Sequence, residues 1–155
     1  MQEKYILSQD VTIAALSDSG KKAVELVDRF LKLLMTPDVV GARSFVAKDL
    51  KIVFTGGLMM KDPSECADFT KKRYAWVKKK FDRYEVVEGA SDEQTVVYSL
   101  GTLYGAWLDN QPFEANRYID RYLIEHGKVK EMHVWNDSAE HILARLSLNH
   151  AGATL

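Results

Sequence analysis

Residues 113–140 read FEANRYIDRYLIEHGKVKEMHVWNDSAE, and their pattern decides how the chain folds. Phe113 to Glu125 and Lys128 to Trp135 alternate with the period of two expected of strands, and Glu125-His126-Gly127 breaks them with a turn. So short a turn between runs this long predicts an antiparallel hairpin. Alternation puts Asn116, Tyr118, Asp120 and Tyr122 on one face of the first strand. A face packed only on a core should be apolar, and a face seen only by water seldom carries two tyrosines. This face therefore either lines a pocket or is one side of an ordinary sheet with amphipathic tyrosines at its rim.

Downstream, Asp137-Ser138-Ala139-Glu140 pairs a cap with an acid and predicts a final helix carrying Ile142, Leu143 and Leu146. The tail from Ser147 is expected to be loose. Upstream, Gln94 to Trp107 and Phe81 to Glu88 read as two further strands, with breaks at residues 109–112 and 89–92. Asp62-Pro63-Ser64-Glu65 opens a helix, with a cap, a proline at the first position and an acid three residues after the cap. That helix is predicted to reach about Lys80. Leu50 to Phe54 reads as a strand closed by Gly56-Gly57. Val24, Val27, Phe30, Leu31 and Leu34 form one helical stripe between Lys21 and Met35, with Ser17, Asp18 and Ser19 as candidate caps. Thr36-Pro37-Asp38 ends that helix and starts a short one through about Val46. The expected architecture is α+β: three helices on one face of a strongly bent antiparallel sheet, with a cavity where the helices do not fill the bend.

The 155 residues suit one domain, with its core over about residues 20–146 and flexible tails on either side. A formal net charge of −1 gives no global attraction to nucleic acid or an anionic membrane. Lys71-Lys72-Arg73 and Lys78-Lys79-Lys80 are basic, but on one predicted helix interleaved with Tyr74, Trp76 and Val77 they read as its exposed face. No nucleic-acid partner is expected. The single cysteine, Cys66, excludes an internal disulfide and reads as a small buried hydrophobe. No apolar run reaches the length of about 18 residues that a membrane span needs, and the N-terminus lacks the pattern of a signal peptide. The simplest location is the cytoplasm, without membrane attachment.

Three stretches resemble the nuclear transport factor 2-like cone fold, and within it the SnoaL-like and ketosteroid-isomerase-like proteins. They are VDRFLKLLMTPDVVGARSFVAKDLKIVF, like that family's opening helix pair and first strand; RYIDRYLIEHGKVKEM, like its late hairpin; and VWNDSAE, like its closing strand and short helix. With the element order, the likeness covers roughly residues 20–145. The resemblance implies a cone with an internal pocket whose wall includes Phe30, Phe54, Met132 and Val134. In the isomerases the end of the first strand holds a base and the first helix an oxyanion-donating tyrosine; here those positions hold Phe54 and Phe30. A second donor, a protonated aspartate on a late strand, has its counterpart in Asp120. Polyketide cyclases carry an aspartate near the position of Val134. Only Asp120 survives of the isomerases' three parts, so no well-known mechanism of the family transfers intact, and the fold itself hosts many chemistries.

Asp120 is the leading catalytic candidate. Between aromatic neighbours its carboxyl would keep its proton and donate to a substrate oxygen gaining negative charge. The alternative is a strand aspartate paired with an arginine of its own or a neighbouring strand. Tyr118 would assist it and Tyr122 share its pocket, or both would pack with their hydroxyls at the rim. Asn116 and Asn136 are further candidate lining residues, with Asn136 equally placed to serve backbone donors before the last helix. His133 shares the opposite face with Trp135, unless a β-bulge exchanges the faces. No pair of histidines has ligand spacing with a carboxylate, so neither a metal nor another cofactor is expected.

The expected function is a cofactor-independent isomerase, cyclase or dehydratase. Its substrate would be a small apolar, oxygenated molecule of polyketide, terpenoid or steroid type. The other class is a noncatalytic ligand-binding or dimerisation module of the same fold. Arg117, Ile119, Arg121 and Leu123, with His133 and Trp135, form an outer face of mixed Arg, Trp and aliphatic character. A homodimer through that face is expected, unless the last helix folds over it.

Overall fold

The computed structural model describes residues 16–88 and 93–148. The break at residues 89–92, most of both tails and His150 lie outside the described residues. Ser17 caps the first helix, α1 (Asp18–Met35), by accepting a hydrogen bond from the Gly20 amide at 3.1 Å. The predicted stripe faces inward, with Val27, Phe30 and Leu31 fully buried. After Pro37, Asp38 caps a single short helix, α2 (Val39–Arg43), through the Gly41 amide at 2.8 Å. Strand β1 (Val46–Val53) begins four residues earlier than the sequence pattern indicates and ends at a 3-10 turn over Thr55–Gly57. Gly56 and Gly57 there have φ of 75° and 78°, a conformation that costs glycine little. A two-residue strand, β2 (Met59–Met60), follows.

Helix α3 (Pro63–Arg73) opens with the predicted capping box between Asp62 and Glu65. It ends seven residues short of the predicted end at Lys80. From Tyr74 the chain is extended, and β3 (Tyr74–Glu88) is a 15-residue edge strand. The correction has a local cause. Lys71, Lys72 and Arg73 fill the last turn, where cations favour a helix C-terminus. Tyr74, Trp76, Val77 and Phe81 are strand formers that lose side-chain freedom in a helix. The two basic clusters therefore do not share a helix face: one closes α3 and the other lies on β3.

Strands β4 (Gln94–Trp107), β5 (Pro112–Glu125) and β6 (Lys128–Asn136) then run as predicted, and α4 (Ser138–Arg145) closes the described chain. The sheet order is β2-β1-β6-β5-β4-β3. The long strands pair antiparallel, but β1 lies parallel to β6, so the sheet is mixed rather than purely antiparallel. That parallel pairing needs a long crossover, which α3 and the β3–β5 run supply. Helices α1 and α3 cover the concave face of this bent sheet, giving the predicted α+β layer pair with its core between the layers.

Register shifts decide which side chains face that core. In β3 one occurs between Tyr74 and Trp76 and another between Phe81 and Arg83. Each extra residue exchanges the faces of the strand. Tyr74 faces in, then Val77 and Lys79, and after the second shift Tyr84 and Val86. In β6 the shift lies near the turn, before Met132, so Met132, Val134 and Asn136 stay on the inner side.

Candidate functional site

The inward positions of β5 after its irregular start are Asn116, Tyr118, Asp120, Tyr122 and Ile124, all buried. Their setting differs along the strand. Ile124 and Tyr122 lie in the main core, where Tyr122 meets Phe30 edge-on with ring centres 6.2 Å apart. Asn116 points toward α4 and donates to the Ser138 hydroxyl at 2.9 Å, which also meets the Tyr74 hydroxyl at 2.8 Å. Between these ends, Tyr118 and Asp120 border a cavity of about 140 Å³.

The cavity is walled by the C-terminal part of α1 (Leu31, Leu34, Met35), by Cys66, Ala67 and Thr70 of α3, and by the strands. Phe54, Met132, Val134 and Asn136 belong to its lining, together with Tyr74, Val77 and Leu103. Exposed Pro37 and Lys71 mark its rim. The wall is mostly apolar. Its central polar feature is an ion pair between Asp120 and Lys79, whose Nζ reaches the Asp120 Oδ2. The Lys79 side chain is 8% exposed and that of Asp120 0%. The Lys79 ammonium also lies 3.8 Å from the centre of the Tyr118 ring, a cation–π contact.

Glycine allows this stacking. Gly101 on β4 is opposite Tyr118, and a Cβ there would run into the Lys80 carbonyl oxygen and stand 3.0 Å from the Tyr118 ring. Without one, β3 comes close enough for Lys79 to cross the ring toward Asp120. The Tyr118 hydroxyl turns the other way, to the buried Ser99 hydroxyl at 3.2 Å. Tyr118 therefore offers the lysine its ring face while Ser99 engages its hydroxyl.

Burial drives the electrostatics. Loss of water pushes the Asp120 carboxyl above its ordinary value, while Lys79 and the Tyr122 hydroxyl, which donates to Oδ2 at 3.2 Å, pull the other way. The Asp120 Oδ1 is buried without a hydrogen-bond partner. Desolvation likewise raises the Tyr118 and Tyr122 phenols, so both stay neutral donors at physiological pH. The Cys66 thiol, pushed up to about 12 by burial, is an inert part of the wall.

The sequence-predicted residues thus separate into two groups. Tyr118, Asp120, Phe54, Met132, Val134 and Asn136 meet at one cavity. Phe30, Tyr122 and Asn116 do not line it. Phe30 and Tyr122 fill the core beside it, because the helix stripe and the β5 ladder close on each other there. Asn116 is drawn to Ser138 at the start of α4. Asn136 plays both parts expected of it, lining the cavity and accepting from the Ser138 amide at 3.1 Å. His133 is on the outer face, stacked on Trp135 with ring centres 5.7 Å apart and 3.6 Å from Glu131. The partner of Asp120 is a lysine from β3, not an arginine of its own hairpin. Sequence reasoning missed Lys79 because it placed the residue on a helix. The run of aromatic and β-branched residues from Tyr74 to Val87 was the available signal. Among the described residues no three His, Cys, Asp or Glu side chains converge as metal ligands would.

No protein-family model and no curated protein matches the sequence. Solved structures do match. One is a candidate SnoaL-like polyketide cyclase from Jannaschia, 17% identical, aligned over 89% of this chain and 98% of its own with a TM-score of 0.64. Another is an NTF2-like protein of unknown function from Burkholderia pseudomallei, at 18% identity, 78% and 95% coverage and a TM-score of 0.62. The CaMKII hub of S. rosetta aligns at 17% identity over 79% of this chain and 99% of its own, with a TM-score of 0.62. The chain has the nuclear transport factor 2-like cone fold.

Proposed function

We propose that the protein is a cofactor-independent enzyme that moves a proton on a small apolar, oxygenated substrate, by isomerisation, cyclisation or dehydration. The observation that carries this reading is Asp120, a fully buried carboxyl with one oxygen unpartnered, in the wall of a mostly apolar cavity. Burial raises the hold of this carboxyl on a proton, and in its protonated form it can donate to an oxygen that gains charge during reaction. Lys79 adds a cation beside the same carboxyl, and the Tyr118 ring shields the pair from water. A cavity of about 140 Å³ is comparable with one that holds benzene, so a larger polyketide or terpenoid would enter by one end only. The name of the Jannaschia neighbour agrees with this class of substrate.

A second reading, a noncatalytic binding or assembly module, is favoured by Phe54, which occupies the end of the first strand where the resembled isomerases carry a base. The likeness to a hub domain points the same way. Exchange of the protons beside the carbonyl of 3-cyclohexenone in D2O, followed by NMR, separates the two. The wild type is expected to catalyse exchange, and Asp120→Asn to stop it while remaining folded and binding the ketone within about tenfold. Equal rates in both proteins would remove Asp120 from the chemistry.

A homodimer through the outer sheet face belongs to this proposal. Trp135 is 49% exposed there and α4 leaves it uncovered. Sedimentation is expected to show a dimer that Trp135→Glu dissociates. A monomeric wild type at micromolar concentration would exclude it.

A further inference from the structure

We propose that Lys79 is a carbonyl-capturing amine: it condenses with an aldehyde or unhindered ketone in the cavity to give an imine, with Asp120 carrying the protons. The inference rests on the cavity being the ligand site and adds to it the substrate class.

The geometry supplies each requirement. Lys79 belongs to the cavity wall, and its side chain is nearly as well hidden from water as that of Asp120. Lys71, at the rim, is 73% exposed by contrast. A hydrated surface amine is protonated and shielded, whereas a desolvated one is the type of lysine that acts as a nucleophile. Asp120 is in direct contact with it, so the proton can shift from nitrogen to Oδ2. That shift exchanges two paired charges for a neutral amine and a neutral acid within one contact, so no uncompensated charge arises in the apolar wall. The cavity admits a carbonyl compound of about the size of benzene beside that nitrogen.

The step balances within the pair. The neutral amine attacks the carbonyl carbon, forming a C–N bond, and the π electrons move to oxygen. That oxygen takes the proton of the Asp120 carboxyl. Asp120, now a carboxylate, removes one proton from the nitrogen and delivers it to the hydroxyl, which leaves as water. The nitrogen lone pair closes the C=N bond. Amine, acid and carbonyl have become an iminium, a carboxylate and one water, with no net charge created. The product keeps an ion pair in place of the original one, so the buried carboxylate is never left without a cation. The Tyr118 ring, 3.8 Å from the ammonium, can face the iminium in the same way.

Reductive trapping tests this on the intact protein. Benzaldehyde at one equivalent with sodium cyanoborohydride at neutral pH, followed by peptide mass mapping, reads where a benzyl group is fixed. Lys78 and Lys80, exposed neighbours on the same strand, serve as internal references. Lys79 is expected to take the label at least about tenfold over either, because the cavity holds the aldehyde against it. Ala67→Phe, which fills the cavity from α3, is expected to abolish the label at Lys79 and leave Lys78 and Lys80 unchanged. Label on Lys78 and Lys80 with none on Lys79 in the folded wild type would overturn the proposal. So would undiminished Lys79 label in the filled variant. The proton-exchange assay reports separately: exchange without trapping removes only the imine, and trapping without exchange removes only the proton-transfer reading.

Discussion

Two aspartates inside this molecule are each met by a lysine and a tyrosine, and only one of them borders a cavity. Asp28 on α1 accepts from the Tyr84 hydroxyl at 3.1 Å and pairs with Lys32, one turn along the same helix, at 3.1 Å. Asp120 accepts from Tyr122 and pairs with Lys79 from a strand two places across the sheet. The residue types are the same, but the lysines differ: the Lys32 side chain is 49% exposed, the Lys79 side chain 8%. A helical neighbour can always send its ammonium toward solvent. A lysine turned inward by a strand bulge cannot. One constellation therefore anchors the helix layer to the sheet, while the other places a reactive pair in an apolar wall.

The largest expected effect breaks the second pair. Lys79→Met leaves the buried Asp120 carboxyl without its cation and should cost about 3–5 kcal/mol in urea unfolding, as removal of one partner from a buried pair does. Lys79→Met with Asp120→Leu should recover most of that loss, since apolar groups of similar volume often replace such pairs without cost. If the single variant unfolds like the wild type, the pair is more hydrated than its burial indicates, and the contrast with Asp28 falls.

Next in size is a pH dependence. Burial holds the Asp120 carboxyl above 3.8, so well below that value folded and unfolded chains both carry its proton. As pH rises through about 3.8 the unfolded chain releases the proton first, and stability falls until the folded carboxyl ionises as well. Against the Lys79→Met/Asp120→Leu reference, the wild type should therefore lose stability on going from about pH 4 upward. A gain over the same range would mean that the lysine outweighs desolvation.

Smaller effects sharpen the contrast. Tyr122→Phe and Tyr84→Phe each remove one hydrogen bond to a buried carboxyl and should each cost about 1–3 kcal/mol. Tyr122→Phe alone should also alter proton exchange, because its hydroxyl touches the carboxyl proposed to react. Lys32→Met should cost about 1–2 kcal/mol, between an exposed and a fully buried pair, because the ammonium is half exposed while the Asp28 carboxyl it meets is buried. A larger loss there would place the Lys32 ammonium in a drier setting than its exposure indicates.

Much of this architecture is written locally. The α1 stripe, the Asp62–Glu65 capping box and the alternation of β4, β5 and β6 follow from side-chain period and backbone caps, which need no partner to be recognised. The inward set of β5 followed as well, and with it Tyr118 and Asp120. The sequence pattern also left α3 to run into Lys80, because a stretch rich in lysine with apolar residues three and four apart satisfies a helix as readily as an irregular strand. Phe30 and Asn116 were assigned to a wall they stand behind, since alternation and helical phase give a side but not a depth.

What the sequence by itself determined is therefore the list of elements and the face each presents. What only the tertiary structure decided is which residues from distant elements share one space. Pairing with β4 held residues 74–80 extended, and the register shift between Tyr74 and Trp76 put Val77 and Lys79 on the inner face. Gly101 let β3 approach the Tyr118 ring, and the bend of the sheet left room beside the ion pair. The strand formers of residues 74–87 are a local signal for the extended chain, but the register shift and the close approach have none, because both are properties of two strands together. Burial, the cause of the altered Asp120 carboxyl, exists only once α1 and α3 cover the sheet and remove water from it.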